Sequence, residues 1–472
     1  MGDPNRNTSV AQLDGTPRRR YYTGHKLARD VAIADLRATT HRRMPRFVLE
    51  YLEGGSEDEA TLLRERTAYA EWLFTPRQLV DVSKRTLATT ILGSGAAAPL
   101  IVAPTGLNGL FRHGADTALA EAAAHSGVPF VQSTMSNDAM EDVAKVANLR
   151  HWWQLYVFGG DEVWQELLRR ADAAGCEALV LTTNTQIFGN REWSTRTMAT
   201  KSRPSVPTVL EAALHPRWLA ATLLTHGMPK FKNVIDFVPR DHQGFFESAF
   251  WIREHQPTSM SWDTVDKIRQ RWKKPFVLKG ILSIDDVRRS IDAGIDAIVL
   301  SSHGGRQLDG TVSPLDLLPA AREMGDGKIE LYVSGGLRRG TDLVKAVALG
   351  ACAVLAGRAP LYGVCAAGAA GAKRALDIIA KEALDAMGLL GAKSVSELGP
   401  QLLFPRGRKD PPMSQAIATR TQSRVGGSAG EGSASAKRSD GCRDSKHRQH
   451  SGLAPRQPEP MFITDVRKGE PP

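Results

Sequence analysis

His303 and Arg306 lie three residues apart in the run Ser301-Ser302-His303-Gly304-Gly305-Arg306. An imidazole removes protons near neutral pH, and a guanidinium grips a carboxylate through a planar fork of N–H groups. The two intervening glycines allow close approach of a flat ring to the backbone. Lys279 ends the apolar run PFVLKGIL, where an ammonium group needs an anionic or electron-rich partner. Ser334-Gly335-Gly336-Leu337-Arg338-Arg339 and Gly357-Arg358 set glycine backbone beside guanidinium groups, a composition suited to phosphate. Together these groups suit proton abstraction from a carboxylate-bearing substrate beside a phosphorylated ligand. Each also has a plainer reading: a single His or a buried ion pair is ordinarily structural, and glycines make tight turns.

Short apolar, β-rich runs precede these residues and must position them. Eight such runs occur, at residues 100–104, 129–133, 152–157, 178–183, 276–280, 297–302, 329–334 and 353–357. Amphipathic, often Ala-rich stretches alternate with them, as at 115–126, 161–174, 284–293 and 341–348. Strand–helix alternation demands a parallel sheet with right-handed crossovers, and eight units close into an α/β (β/α)8 TIM barrel. Catalytic groups of a barrel sit at the carboxyl ends of its strands. All eight ends here are polar or glycine-rich: Pro104-Thr105-Gly106, Ser133-Thr134, Gln154-Leu155-Tyr156, Thr182-Thr183, Lys279-Gly280, Ser301-Ser302, Ser334-Gly335 and Gly357-Arg358. A ligand filling the mouth accounts for that better than eight independent caps. Gly93-Ser94-Gly95 precedes a strand, so it fails the dinucleotide-binding pattern, and no GxxxxGK[ST] run exists.

One interval is too long for a helix and its loops. Residues 192–260, rich in Pro, His, Trp and Arg, read as an insertion over the mouth of the barrel, either a lid or surface elaboration. Its Trp218–Leu224 face suits peripheral contact with a membrane, although Leu and Trp at helical spacing more often pack against protein. Residues 1–22 form a polar leader, 23–405 the patterned body, and 406–472 a basic tail too poor in apolar residues to fold. The tail holds 13 Lys and Arg against 7 Asp and Glu, so +6 of the net charge of +10 lies there and nucleic acid is not an expected partner. Four cysteines without a CxxC pair argue against a disulfide scaffold, a structural zinc site or any other metal. With no secretory pattern and no run of 18 apolar residues, the expected location is cytoplasmic, at most peripheral to the inner face of the membrane.

Across residues 23–400 the chain resembles the FMN-dependent α-hydroxy-acid dehydrogenase/oxidase family. The motifs that carry the resemblance are FVLEYLEGGSEDE, APTGLNG, WQLYV, FVLKGIL, SSHGGRQLDG and GGLRRGTD. The wording PTGLNG and LEGGSED, with the HPRW insertion, is most similar to the mandelate and L-lactate dehydrogenase branches. The resemblance implies FMN across the barrel mouth. Pro104, Thr105 and Gly106 would face its N5 side, and Ser133, Gln154, Tyr156 and Thr182 its pyrimidine edge. Lys279 would lie near N1, where a cation stabilises negative charge on a reduced flavin. Ser301 and Ser334 would reach the ribityl chain, with Gly335, Gly336, Leu337, Arg338, Gly357 and Arg358 around the phosphate. Arg191 and Arg306, helped by Tyr51 and Tyr156, would hold a substrate carboxylate, and His303 would be the base. It takes the hydroxyl proton as hydride leaves Cα, or it takes the Cα proton itself. Gly106, where oxidase members carry Ala, favours a dehydrogenase that passes electrons to a quinone or other acceptor over one that uses O2. The family also suggests a homo-oligomer, a tetramer.

Three positions depart from the family pattern. Asn184 replaces an Asp that pairs with the catalytic imidazolium, Ser302 replaces an Asn, and Ser334 replaces an Asp at the ribityl chain. Asn orients an imidazole but does not compensate its charge, and the analogous change in a serine-protease triad costs about 10⁴ in turnover. The leading expectation is FMN-dependent oxidation of a lactate- or mandelate-like L-2-hydroxy acid to the 2-oxo acid. The alternatives are a slow or inactive flavin-binding paralogue acting as sensor or scaffold, and an FMN barrel of different chemistry.

Overall fold

The computed structural model describes residues 21–407, apart from residues 25, 201–202, 225 and 326. Most of the leader and of the basic tail, Cys442 included, lies outside the described residues.

All eight predicted strands form, and they close on one another. We number them β1 (Leu100–Val102), β2 (Phe130–Ser133), β3 (His151–Leu155), β4 (Ala178–Thr182), β5 (Phe276–Ile281), β6 (Ala297–Ser301), β7 (Glu330–Ser334) and β8 (Ala353–Ala356). Each pairs in parallel with its sequence neighbours, and β8 returns to β1 through Val354↔Leu100, which closes the barrel. Side chains alternate across a strand, so one parity faces inward and the other meets the helices. Ile101, Val131, Trp152, Val180, Val277, Val299, Tyr332 and Leu355 pack together inside. Their neighbours, among them Leu100, Phe130, Leu179 and Ile298, belong to a separate, larger core. Ile91 and Ala96, from a two-stranded hairpin ahead of β1, join the inner cluster.

The helices that matter to the mouth are α1 (Ile33–Arg43), α2 (Arg46–Glu53), α3 (Ala60–Thr67), α4 (Ala115–His125) and α5 (Asp161–Ala173). They are followed by α6 (Val206–Ala213), α7 (Phe245–Glu254), α8 (Trp262–Arg271), α9 (Ile284–Asp292), α10 (Pro314–Gly325) and α11 (Gly340–Leu349). The last, α12 (Arg358–Leu390), is broken at Ala367 and Gly368, where the backbone leaves helical values. Helices α4, α5, α9 and α11 fall on the stretches expected from amphipathic periodicity.

The insertion adds buried apolar residues to the larger core. Phe231, Val234, Val238, Phe245 and Ile252 are buried, with Phe231 stacked on Phe245 at 5.1 Å. Trp218 takes the commoner of the two expected roles and packs against protein. It is 2% exposed, meets Phe47 edge-on, and its Nε1 donates to the Leu110 carbonyl at 2.7 Å. The large indole finds a barrel loop and a polar partner there, so it packs inward. The exposed apolar side chains lie one helix earlier, at Val206, Val209, Leu210 and Leu214, with Leu224 beyond.

Arg358 opens α12 directly after β8, so the packing of that helix aims a mouth residue. Gly363 and Gly371 face each other across its break, and a Cβ on either would collide with the other's carbonyl. Gly371→Ala is therefore expected to destabilise the protein by about 1–3 kcal/mol, as overpacking does. Ala370→Ser, at the neighbouring exposed position, should stay within about 0.5 kcal/mol. Denaturant unfolding of both variants gives the comparison.

Candidate active site

Two residues after each inward-facing core residue, the same parity delivers the residue that tops the barrel. Val131 is followed by Ser133, Trp152 by Gln154, Val180 by Thr182, Val277 by Lys279, Val299 by Ser301, Tyr332 by Ser334, and Leu355 by Gly357. Above this layer lies a cavity of about 810 Å³. Tyr51, Pro104, Thr105, Gly106, Ser133, Tyr156, Arg191, Lys279, His303, Arg306, Ser334, Gly335, Gly336, Leu337, Arg338, Gly357 and Arg358 all line it. Gln154, Thr182 and Ser301 do not. They form the hydrogen-bonded layer below: Ser133 Oγ donates to Gln154 Oε1 at 2.9 Å, and Gln154 Nε2 donates to Thr182 Oγ1 at 3.0 Å. Ser301 Oγ accepts from Lys279 Nζ at 3.3 Å and from the His303 amide at 3.1 Å.

The loop after β6 is bent tightly. His303, Gly304 and Gly305 all have positive φ, at 61°, 71° and 70°. Such values are uncommon for a residue with a Cβ and are held here by the surroundings. A Cβ on Gly305 would come within 2.7 Å of the Leu62 backbone, so α3 requires glycine at that point. The loop projects His303 into the cavity. Its Nδ1 lies 3.3 Å from Asn184 Oδ1, while Asn184 Nδ2 donates to the Ser301 carbonyl at 3.2 Å. That second bond fixes the amide, so Oδ1 accepts the Nδ1 proton and Nε2 keeps its lone pair. Nε2 faces the Tyr156 hydroxyl at 3.4 Å. Asn184 thus occupies the orienting position expected of it.

Three arginines are held mainly by backbone carbonyls. Arg306 Nη1 donates to the carbonyls of Tyr51 and Gly54, each at 2.7 Å, and its guanidinium lies over the Tyr51 ring at 4.9 Å. Arg358 Nε donates to the Leu52 carbonyl at 2.9 Å. These carbonyls lie at the end of α2, where a helix lacks internal donors and favours cations. Arg191 Nε donates to the Arg306 carbonyl at 3.1 Å, and its Nη2 to Gln307 Oε1 at 3.2 Å. Arg306 Nη2 is buried with no partner. The fork expected of Arg306 is therefore half spent on α2, and it offers one amino group to a ligand.

The mouth carries uncompensated positive charge. Lys279, Arg191, Arg306, Arg338 and Arg358 all line it. Burial lowers Lys279 to about 8. Burial, then the neighbouring Arg191, lowers Arg306 to about 9, and burial with Arg306 and Arg338 lowers Arg358 to about 10. Burial, then Lys279, Arg191, Arg306 and Arg358, holds His303 well below its ordinary value. Cations crowded this way call for anionic ligands.

Several contributors were not legible in sequence. Gln307 buckles the 184–191 loop to the His303 loop, its Nε2 donating to the carbonyls of Asn184 at 2.6 Å and Ile187 at 2.7 Å. It stands inside the SSHGGRQLDG run, which was the available signal. Met135, Phe188, Phe246 and Phe250 line an apolar side of the cavity. Two of them come from the insertion, where only the fold brings them to the mouth.

An α/β barrel whose mouth joins a neutral imidazole to unpaired cations is a site for an anionic cofactor and an anionic substrate. Residues 40–405 match the FMN-dependent dehydrogenase family, and the chain belongs to it. It is 37% identical over 376 residues to the (S)-mandelate dehydrogenase of Pseudomonas putida, spanning 79% of this chain and 94% of that protein. It is 36% identical over 372 residues to an L-lactate dehydrogenase of Ectopseudomonas mendocina (strain ymp), spanning 79% and 98%. Among solved structures, the monotopic membrane protein (S)-mandelate dehydrogenase superposes with a TM-score of 0.75 at 37% identity, covering 79% of this chain and 99% of that one. A mandelate oxidase mutant with (S)-mandelic acid gives 0.65 at 34% identity, covering 79% and 98%. The cofactor is FMN. The residues present suit it: Thr105 Oγ1 is buried without a partner, and glycine stands at 335, 336 and 357 beside Arg338 and Arg358.

Asn184 carries no charge, so an imidazolium at His303, the expected base, would have no counter-charge from it. Asn184→Asp supplies one and raises the His303 pKa. A general base works in its neutral form, so activity is lost as pH falls through that pKa. The natural protein should keep its rate of flavin reduction well below pH 6.5, the ordinary histidine value. The variant's acid limb should rise by roughly 1–2 pH units. Above that limb, its flavin reduction should be at least about tenfold faster. Stopped-flow pH profiles test both expectations.

Proposed function

We propose that this FMN-dependent dehydrogenase oxidises an L-2-hydroxy acid to the 2-oxo acid. The observation that carries the proposal is the convergence of Arg306 Nη2, Arg191 and the basic Nε2 of His303 on one cavity. One amino group from each arginine holds the substrate carboxylate, and the Tyr51 and Tyr156 hydroxyls orient it further. His303 Nε2 takes up the proton released from the substrate, and Nδ1–H stays on Asn184. Bound FMN supplies the two-electron acceptor. Pro104, Thr105, Gly106, Ser133 and Lys279 would surround its ring system, with Gln154 and Thr182 bracing Ser133 from the layer below. Ser334, Gly335, Gly336, Leu337, Arg338, Gly357 and Arg358 would serve the ribityl chain and phosphate, with Ser301 behind them holding Lys279 and the His303 amide. The Met135, Phe188, Phe246 and Phe250 wall favours a bulky apolar substituent on the substrate, as in (S)-mandelate, over the methyl group of lactate. A Cβ on Gly106 would come within 2.8 Å of Met135 Cβ, so this wall tolerates no side chain at 106 without movement.

We also infer that the protein rests on a membrane surface and delivers electrons to a quinone there. Val206, Val209, Leu210 and Leu214 form an exposed stripe at helical spacing on and just after α6, flanked by exposed Arg203 and Arg217. A stripe of that kind buries its apolar side in lipid and sets its cations against anionic headgroups. No helix among the described residues is long and apolar enough to cross a membrane.

Anaerobic addition of L-mandelate, L-lactate or glycolate to the yellow holoprotein tests the activity. Bleaching should be fastest with L-mandelate, and His303→Ala should abolish it while keeping the flavin. Bound flavin that no hydroxy acid bleaches would instead identify a binding protein without turnover. For the surface, Leu210→Ser/Leu214→Ser should lose co-sedimentation with anionic vesicles and keep its bleaching rate. Equal sedimentation of variant and natural protein would refute the membrane assignment.

A further inference from the structure

Glu65 is a buried acid that the site described so far does not use. It is 2% exposed, on α3, and its two oxygens are unlike. Oε1 accepts a close hydrogen bond from the Ser302 hydroxyl, and Oε2 has no partner. A buried acceptor left unfilled is unfavourable, and native structures rarely keep one without a reason.

The position of the carboxyl group supplies the reason. Gly335 lines the cavity with φ of 150°, and a Cβ built on it would lie 2.6 Å from the Glu65 carboxyl carbon and 3.0 Å from Oε2. The Glu65 carboxyl group therefore stands where a side chain at residue 335 would sit, directly against the backbone of a cavity-lining glycine, with Oε1 as near as the carboxyl carbon at 2.6 Å. The cavity groups around that glycine are chiefly donors: Lys279, Arg338 and Arg358. Ser334, the strand residue pointing up beside it, carries only a hydroxyl. FMN presents three ribityl hydroxyls, and a hydroxyl group needs an acceptor as well as a donor. Glu65 Oε2 is the unpartnered carboxylate oxygen directly behind this wall.

We propose that Glu65 is a cofactor-binding residue whose Oε2 accepts a hydrogen bond from a ribityl hydroxyl of FMN, with Ser302 fixing the carboxyl group through Oε1. The carboxylate that serves the polyol is thus carried by helix α3 instead of strand β7. This assignment does not depend on the substrate.

The test is FMN affinity of the apoprotein, read by quenching of flavin fluorescence. Glu65→Met is similar in length and removes both acceptors. It should weaken FMN and riboflavin roughly 10- to 100-fold, the loss of one charge-assisted hydrogen bond. Lumiflavin, which has the ring but no polyol, should bind the variant and the natural protein alike. Adding Ser334→Asp to Glu65→Met should recover most of the FMN affinity from the strand side. Unchanged FMN binding by Glu65→Met would overturn the proposal. Equal loss of lumiflavin and riboflavin would also overturn it, because Glu65 would then be supporting the barrel and not the polyol. Should Glu65→Met not fold, FMN analogues each lacking one ribityl hydroxyl are titrated against the natural protein. One of them should bind at least about tenfold more weakly, and equal affinity for all of them would count against Glu65.

Discussion

The parity of eight parallel strands is the constraint from which the rest of this structure follows. Inward residues come every second position, so a strand that buries Val180 at one level must present Thr182 at the next. A one-residue slip in any strand would push its polar tip into the helix layer and draw an apolar side chain into the mouth. The inner cluster of Ile101, Val131, Trp152, Tyr332 and their neighbours makes such a slip costly, because each fills a particular space. The catalytic layer is thus set in height and direction by packing beneath it. Gln154, Thr182 and Ser301, which reach no cavity surface, lock that layer sideways through hydrogen bonds.

Placing cations on such a layer creates the second condition. The mouth gathers Lys279, Arg191, Arg306, Arg338 and Arg358, and the nearest buried acid, Glu65, is itself pushed upward by desolvation. The protein is therefore electrostatically incomplete until a phosphate and a carboxylate arrive. The same field acts on His303 and keeps its imidazole neutral. It also makes the protonated imidazole unfavourable, and Asn184 orients the ring without relieving that. Base availability and base strength are here in opposition, set by the substitution of an amide for a carboxylate.

How much of this was readable in the sequence depended on whether the signal was periodic or spatial. Strands β1 to β8 and helices α4, α5, α9 and α11 repeat a pattern along the chain, and their positions could be read from it. The residues at the strand tips followed, because a barrel brings strand ends together by construction. Glu65 and Gln307 show the limit. Glu65 meets Ser302 across 237 positions of chain, and nothing in ATLLRERT marks it as different from Arg64 or Arg66. Trp218 shows another. A tryptophan in an apolar stretch looks the same whether its face meets lipid or Leu110 and Phe47, and only the fold decides.

The insertion between β4 and β5 shows how one segment serves two surfaces. On α7, Phe246 and Phe250 line the cavity, while α6 turns Val209 and Leu210 outward. The inward residues are aromatic and rigid, suited to shaping a pocket. The outward ones are aliphatic, with no partner among the described residues. Phe231, Val234 and Phe245 of the same segment join the main core, which anchors the helix that carries the pocket-lining Phe246 and Phe250. An apolar residue exposed at Leu210 or Leu214 contributes nothing to that core, and burial at Phe245 contributes nothing to the stripe. The division is one of face: the same segment carries residues that hold it in place and residues that leave an apolar surface for something else to cover.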